Sequence, residues 1–422
     1  MGKGTVTKFV HVADVHVDSP LRGIESYEGL PVDEIRLATR RSFQNIVQLC
    51  IDQEVAFLLI AGDLFDGKWL DMNTGLWMVG QFRRLQDASI RVFLIRGNHD
   101  AASEVRNVVR WPDNVHEFSV DGAETVHDQT LGVAIHGRGY ATPAVSEDLA
   151  VEYPLAIPGC FNIGMLHTSM TGDPEHDPYA PTNLDVLLSK GYDYWALGHI
   201  HQRRTLKDEP YIGYSGNAQG RHIRETGPKG CLLVEVEDGT LLDVTFQATD
   251  VVRWQHLEIF AEDIDDVESL IQKVVVALKT ASESAADRLV IARLTISGPC
   301  HAHAELSGLA EREQFCAELR SRSFDFSNMA IEKIRLELRP PVDVARLRAG
   351  QDLLGDLLRS IEQIRENDAD LEALSGCFLP LVEKAALGIA DAGVELGSPT
   401  ELRRWLDLAE NRLISMLAEL ES

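Results

Sequence analysis

No two of the six cysteines (Cys50, Cys160, Cys231, Cys300, Cys316 and Cys377) form a CxxC pair, so the sequence has the pattern of neither a disulfide-stapled domain nor a cysteine zinc site. Long apolar runs are absent too: "VAFLLIAG" (55–62) falls far short of the roughly 20 residues a membrane-spanning helix needs. The opening "MGKGTVTKFVHV" has no apolar core before a small-residue cleavage site. The expectation is a reduced, cytoplasmic protein with no membrane partner. Basic residues are scarce, 40 Lys and Arg against 66 Asp and Glu, for a formal net charge of -26. That balance argues against coating nucleic acid by bulk electrostatics, which relies on basic groups to neutralise phosphates. A nucleic-acid enzyme stays open, because bound divalent cations reverse the sign of a carboxylate-lined site. Any phosphate recognition must be local.

What is present is enough chain for two or three domains, 422 residues in all. From Thr7 to about residue 250, short apolar runs alternate with amphipathic stretches. "KFVHVAD", "VAFLLIAGD", "RVFLIRGNHD", "GVAIHG", "FNIGMLHTS" and "YDYWALGHIH" each read as a buried strand ending in a polar cluster. Between the first two, Ile35, Phe43, Ile46, Val47 and Leu49 make one apolar helical face, which is α/β order. "YIGYSG" and "CLLVEVEDG" extend the sheet to about Thr245. Then "WQHLEIF", a helix at about 262–282, "RLVIARLTISG", a helix at about 305–321 and "IEKIRLELRP" suggest a small α+β domain, closed by Pro340 and Pro341. From Val344 onward the pattern is helical, with "ELGSPTEL" (395–402) as a turn supplying a Ser cap and a Pro at the first helical position. The expected boundaries are 1–250, 251–341 and 342–422.

The polar residues at the strand ends form a set: Asp14 and His16 (DxH), Asp63 (GD), Asn98 and His99 (GNHD), His167, and His199 with His201 (GHxH). His99 apart, these are oxygen and imidazole donors of the kind divalent metals accept. Seven are too many for one ion. Open α/β sheets bind ligands beyond the carboxyl ends of their strands, and the set divides naturally if a central carboxylate bridges two ions. Glycines before Asp63, Asn98 and His199 would permit tight turns that aim these side chains inward. Singly, DxH and GD are commonplace, since a strand-end Asp is usually a turn or cap. Five such motifs in order, all at strand ends over nearly 190 residues, are not a chance pattern.

These motifs resemble the calcineurin-type metallophosphoesterase superfamily, and "FVHVADVHVDSPL", "LLIAGDLFD", "RGNHD" and "ALGHIH" resemble the SbcD-type DNA repair nucleases within it. "GYSGNAQGRHIRETGPKGC" looks most like the bacterial YhaO branch. The resemblance covers about residues 7–250. It implies a four-layer αββα sandwich carrying a small α+β capping domain and a helical C-terminus. It also implies two divalent ions, manganese by family habit: one held by Asp14, His16 and His201, the other by Asn98, His167 and His199, with Asp63 bridging. A water shared by two cations can attack phosphorus in line. His99 would then donate a proton or hydrogen bond to the leaving or phosphate oxygen, oriented by Asp66. Archaeal and eukaryotic relatives commonly have His at the position of Asp66.

The implied function is a metal-dependent DNA exonuclease or endonuclease in repair, working with an SbcC-like or YhaN-like coiled-coil ATPase. A small-molecule or nucleotide phosphodiesterase or phosphatase on the same scaffold, and a regulatory subunit of the ATPase, are the competing readings. Arg221, His222 and Arg224 form a compact basic cluster that could hold substrate phosphates or brace a turn, and Arg138 at the end of "IHGRGY" could bind phosphate or pair on the surface. His11, inside its strand, reads as a core histidine. "CHAH" (300–303) lacks a second ligand pair and reads as a loop. Apolar positions Leu347, Leu354, Leu357, Ile361 and Ile364, then Leu402, Leu406, Ala409, Leu413, Leu417 and Leu420, make amphipathic faces. They fit docking on the ATPase, packing within the chain, or a homodimer.

Overall fold

A computed structural model describes residues 6–19, 35, 37–67, 72–102, 109–170, 179–262, 264–339, 341 and 344–376, and, within 399–414, residues 399, 402, 403, 405–407, 409, 410, 413 and 414. In chain order the first elements are β1 (Val6–Val12), α1 (Ala38–Asp52), β2 (Phe57–Ala61), α2 (Met72–Asp87), β3 (Arg91–Ile95), α3 (Asn98–Ala101), β4 (Val115–Glu117), β5 (Glu124–Asp128) and β6 (Val133–Gly137). They continue with β7 (Phe161–His167), α4 (Leu184–Ser189), β8 (Tyr194–Gly198), β9 (Arg204–Lys207), β10 (Tyr211–Tyr214), β11 (Gly230–Glu237) and β12 (Thr240–Ala248).

Two six-stranded sheets result, with orders β12-β11-β1-β2-β3-β4 and β5-β6-β7-β8-β10-β9. In the first, β1 to β4 are parallel and β11 and β12 close one side antiparallel. In the second, β6, β7, β8 and β10 are parallel, flanked by antiparallel β5 and β9.

Side-chain alternation then builds the layers, because successive strand residues face opposite sides. Phe57 and Leu59 of β2, Phe93 and Ile95 of β3, and Phe9 of β1 bury against Phe161, Ile163, Met165, Tyr194 and Ala196 of the other sheet. The residues between them, Val10, Leu58, Ile60, Val92 and Leu94, turn outward onto Phe43, Ile46, Val47 and Cys50 of α1 and Met78, Phe82 and Leu85 of α2. On the far side Trp195, Leu197, Ile212 and Tyr214 meet Leu149, Tyr153 and Leu187. That stack of helices, sheet, sheet and helices is the αββα sandwich. Strands covered on both faces read as unbroken apolar runs, which is why "FLLIA" is buried at every position.

Three details differ from the sequence reading. Ile35 packs away from the α1 face, with Ala38, Val252, Trp254 and Ile291. The strands β4, β5 and β9 escaped notice because they are short and only half-buried or exposed. "CHAH" contains a single 3₁₀ turn, His301–His303. His11 is a core histidine: its Nε2 lies 3.2 Å from the Leu197 carbonyl oxygen and its Nδ1 3.0 Å from the Tyr194 hydroxyl. Burial pushes it down to about 3 and keeps it neutral.

Further along, β13 (Val252–Phe260), β14 (Leu289–Pro299) and β15 (Met329–Arg339) form a third sheet in that order, accompanied by α5 (Val267–Ser284) and α6 (Leu309–Ser323). Contacts divide the chain into two compact units: Met1–His256 with Ala281–Arg293 and Ser327–Glu332, and Leu257–Thr280 with Leu294–Phe326 and Lys333–Ser422. In the second unit, α7 (Val344–Arg348) and α8 (Leu353–Glu366) begin the helical C-terminal region. There Ile361 and Ile364 pack around Leu371, Leu402 and Leu406, and buried Glu410 is paired with Arg348 at 2.8 Å and with Arg365. Four positions of the amphipathic pattern, Ile361, Ile364, Leu402 and Leu406, therefore pack within the chain. Residues 395–398, 400 and 401 of the expected turn, Pro340, Leu417 and Leu420 lie outside the described residues.

Phe57 is wedged between Phe9 (centroids 5.0 Å apart) and Phe93 (5.7 Å) at the inter-sheet core. Phe57→Ala is expected to cost about 3–5 kcal/mol, read as a lowered midpoint in urea unfolding followed by tryptophan fluorescence.

Candidate metal centre

The sandwich brings the C-terminal ends of β1, β2, β3, β7 and β8 to one edge, so residues scattered over nearly 190 positions meet there. The β1–β2 ladder persists past the strands through Asp14 N–H to the Gly62 carbonyl, His16 N–H to Asp63 and Val17 N–H to Leu64, each 3.0 Å. Asp14, His16, Asp63 and His199 all adopt left-handed backbone conformations, with φ of 51°, 44°, 53° and 100°. Such values are uncommon outside glycine and cluster where surrounding structure forces them for function.

The glycines have two different roles. Gly62, at φ 92°, makes the turn that the sequence suggested. Gly97 and Gly198 serve close approach instead: a Cβ on Gly97 would stand 2.2 Å from Asp63 Oδ1, and one on Gly198 would stand 1.9 Å from the Ala61 carbonyl oxygen.

Donor atoms converge in three overlapping groups, Asp14/His16/His201, His16/Asp63/His99 and Asp14/Asp63/His167, each spanning no more than 4.8 Å. His16 Nε2 is 3.2 Å from His201 Nε2, 3.9 Å from Asp63 Oδ2 and 4.0 Å from Asp14 Oδ1. His167 Nε2 is 3.1 Å from Asn98 Oδ1 and 3.3 Å from Asp63 Oδ2. Two donors each about 2.1 Å from one ion stand about 3 Å apart when adjacent, so both clusters fit a divalent cation. Asp63 faces both clusters. The His199 ring lies edge-on to His167, centroids 5.2 Å apart, and its backbone N–H donates to both Asp14 carboxylate oxygens, at 3.0 and 3.2 Å.

Electrostatics point the same way. Burial pushes Asp14 up and His16 down to about 3. Burial would also raise Asp63 and lower His167, but their mutual attraction prevails, holding Asp63 well below the usual carboxylate range and His167 up at about 9. Asp63 and Asp14 thus favour the protonated form of His167, a positive charge where a cation would otherwise stand.

Beside these donors, His99 Nδ1 lies 3.1 Å from Asp66 Oδ1, and that hydrogen bond raises the His99 pKa against the opposing effect of burial. Asp66 also accepts from the Ser19 hydroxyl at 2.8 Å. Arg221 reaches the same region, Nη1 3.9 Å from Asp66 Oδ1. His222 Nε2 sits 3.6 Å from Glu225 Oε1. Arg138, by contrast, is paired with Glu152 on the surface, and its described contacts do not join it to the cluster.

Two residues went unassigned in the sequence. Asp100, the last residue of GNHD, is buried and accepts from the N–H groups of Leu64 (3.1 Å), Phe65 (2.9 Å) and Gly97 (3.1 Å), tying the loop after β2 to the loop after β3. Burial, reinforced by Asp63, pushes it up to about 6. Glu225 accepts from His201 at 2.7 Å. Its only signal in the sequence was an acidic residue within the basic cluster.

Comparison with known proteins gives a consistent picture. Residues 7–203 match the calcineurin-like phosphoesterase family, and residues 254–339 match the middle domain of metallophosphoesterase YhaO. The chain is similar to "Uncharacterized metallophosphoesterase YhaO" of Bacillus subtilis, 37% identical over 270 residues that cover 63% of this chain and 66% of the relative. It is also similar to the SbcD component of the SbcCD nuclease of Staphylococcus epidermidis, 25% identical over 62% of this chain and 74% of the relative. DNA double-strand break repair protein Mre11 of Methanosarcina mazei is 24% identical over 54% of this chain and 36% of the relative. The matched part is thus just under two thirds of the YhaO chain and little more than a third of Mre11.

Because the Gly97 site has no room for a methyl group, Gly97→Ala is expected to displace Asp63 and weaken Mn²⁺ binding by about tenfold or more. Isothermal titration calorimetry measures this, with an unchanged far-UV circular dichroism spectrum confirming that the fold persists.

Proposed function

Since residues 7–203 of this chain are a calcineurin-like phosphoesterase domain, we propose that the protein is a divalent-metal-dependent DNA nuclease acting in repair. Its two ions, manganese first among them, are held by Asp14, His16 and His201 on one side and Asn98, His167 and His199 on the other, with Asp63 common to both. The observation that carries this reading is the convergence of oxygen and imidazole donors beside a His99–Asp66 pair at a single sheet edge. Ions held there supply Lewis acidity and charge neutralisation for in-line displacement at phosphorus.

The chain's own groups do the rest. Asp66 takes the Nδ1–H of His99, which fixes the ring and favours its protonated form, leaving Nε2–H to donate to the leaving oxygen. Arg221, held nearby, offers its guanidinium to a phosphate oxygen, with His222 as a weaker contributor. Similarity to the SbcCD nuclease component and to Mre11 supports DNA as substrate and an SbcC-like or YhaN-like ATPase as partner. In this reading residues 251–341 cap the site and 342–422 dock the ATPase in the cytoplasm, where exposed Leu353, Leu357 and Trp405 offer apolar contact.

One observation favours a second reading. The net charge of -26 suits a small phosphodiester better than a polyanion, so a nucleotide or small-molecule phosphodiesterase is the alternative. Incubating the Mn²⁺-loaded chain with linear single- and double-stranded DNA and with bis-p-nitrophenyl phosphate separates the two: cleavage of the small diester alone, with and without the ATPase, refutes the nuclease reading. Removing metal with EDTA is expected to abolish both activities and Mn²⁺ to restore them. His99→Ala should bind Mn²⁺ as wild type does yet turn over bis-p-nitrophenyl phosphate about 100- to 10,000-fold more slowly.

A further inference from the structure

Glu225 lies in the segment between β10 and β11, 6% exposed, and belongs to none of the three donor groups of the metal centre. Its carboxylate meets four donors. Oε1 accepts from His201 Nδ1 at 2.7 Å and Arg221 Nη2 at 3.2 Å; Oε2 accepts from Asn217 Nδ2 at 2.9 Å and the Arg221 backbone N–H at 2.7 Å. The Arg221 and Asn217 groups are donors and reach both oxygens, so the carboxylate is acceptor-only toward them, as an ionised carboxylate is and a carboxamide is not, and His201 Nδ1 facing it at 2.7 Å is the donor. Burial alone would raise its pKa, but the hydrogen bond from His201 and the charge of Arg221 outweigh that and hold it well below the usual range.

The consequence falls on His201. Arg221 Nη2 also lies 3.2 Å from His201 Nδ1, but the shorter contact, 2.7 Å, is to the Glu225 carboxylate; with Nδ1 donating there, the imidazole keeps its lone pair on Nε2, the atom 3.2 Å from His16 Nε2 and 3.8 Å from Asp14 Oδ1. Lys229 fixes the same residue from behind, its Nζ donating to the His201 carbonyl at 3.0 Å. The histidine on the other side is set differently: His167 Nδ1 donates to the Ala61 backbone carbonyl at 2.9 Å, a neutral acceptor that no side-chain substitution can remove.

We infer that Glu225 is a positioning residue: it fixes the tautomer and orientation of His201 as a metal ligand, and so governs one ion of the pair and not the other. The inference rests on the two-ion reading above for its metal consequence, and on His201 alone for its tautomer consequence. Carboxylates hydrogen-bonded behind a ligating histidine hold the ring in place and strengthen it as a donor, and their loss typically weakens metal binding 10- to 100-fold.

The full-length chain is used for the test, with Mn²⁺ alone as the probe. Nitrogen-15 NMR of the metal-free wild type is expected to show His201 as the Nδ1–H tautomer, a measurement that needs no variant to fold. Glu225→Gln and Glu225→Ala should weaken one of the two Mn²⁺ binding events by roughly 10- to 100-fold in calorimetry and leave the other unchanged. In a His201→Ala background, Glu225→Ala should add no further loss, whereas a merely structural role would. An Nε2–H tautomer in wild type, unchanged Mn²⁺ binding in Glu225→Gln, or an undiminished extra loss in the His201→Ala background would each overturn the proposal. If the wild type binds no Mn²⁺, the nuclease reading falls while the tautomer result still decides what Glu225 does to His201.

Discussion

Two carboxylates, Asp14 and Asp63, are buried within reach of the same imidazoles, and the surrounding structure is organised around that uncomfortable proximity. Like charges withdrawn from water are expensive unless positive charge is brought between them. The described neighbours that approach their carboxylates are mostly histidines and backbone N–H groups: His199 N–H on Asp14 and His99 N–H on Asp63. Neither kind of neighbour carries a permanent full charge. The compensation at hand is the proton that His167 retains, and a cation is the natural replacement. Left-handed backbone at four of the donor positions, and glycines pressed against the donors, are the means by which the chain holds this arrangement.

The two sheets make it possible. Each carries four parallel strands, and their carboxyl ends meet where the inter-sheet core stops. A parallel sheet delivers its loops to one edge as a matter of geometry, so no donor has to be placed by a long excursion. Aromatic packing between the sheets, with Phe9, Phe57 and Phe93 in ring contact, sets how far apart the two sets of loops stand. Errors in that spacing would separate His16 and Asp63 from His167 and His201. The core and the site therefore answer to one dimension.

Much of this was legible in the sequence, and the reasons are local. Strands buried on both faces announce themselves as apolar runs, and five of them are followed by the polar residues that the fold brings together, so Asp14, Asp63, Asn98, His167 and His201 could be singled out without knowing the sheet order. What escaped detection depends on contacts between distant segments. Glu225 is 24 residues from His201, marked in the sequence only as an acidic residue beside a basic cluster. Gly97 looked like a turn former, although its lack of a side chain matters only because Asp63 arrives from another strand. Ile35 fitted a helical face by spacing but packs on Trp254, more than two hundred residues away. Arg138 carried the charge expected of a phosphate ligand, and only the placement of Glu152 reveals its pairing.

The ladder that carries β1 and β2 past their ends, through Asp14, His16 and Val17, has a bearing on how such chains can diverge. Every donor is fixed relative to the end of its own strand, within four residues, while the connections run over helices and loops remote from the edge. Insertions and deletions between the strands leave the cluster intact, whereas a single-residue slip inside any of the short motifs removes a donor outright. Kinship in this architecture is accordingly written in a few tetrapeptides, and the lengths between them are free to drift.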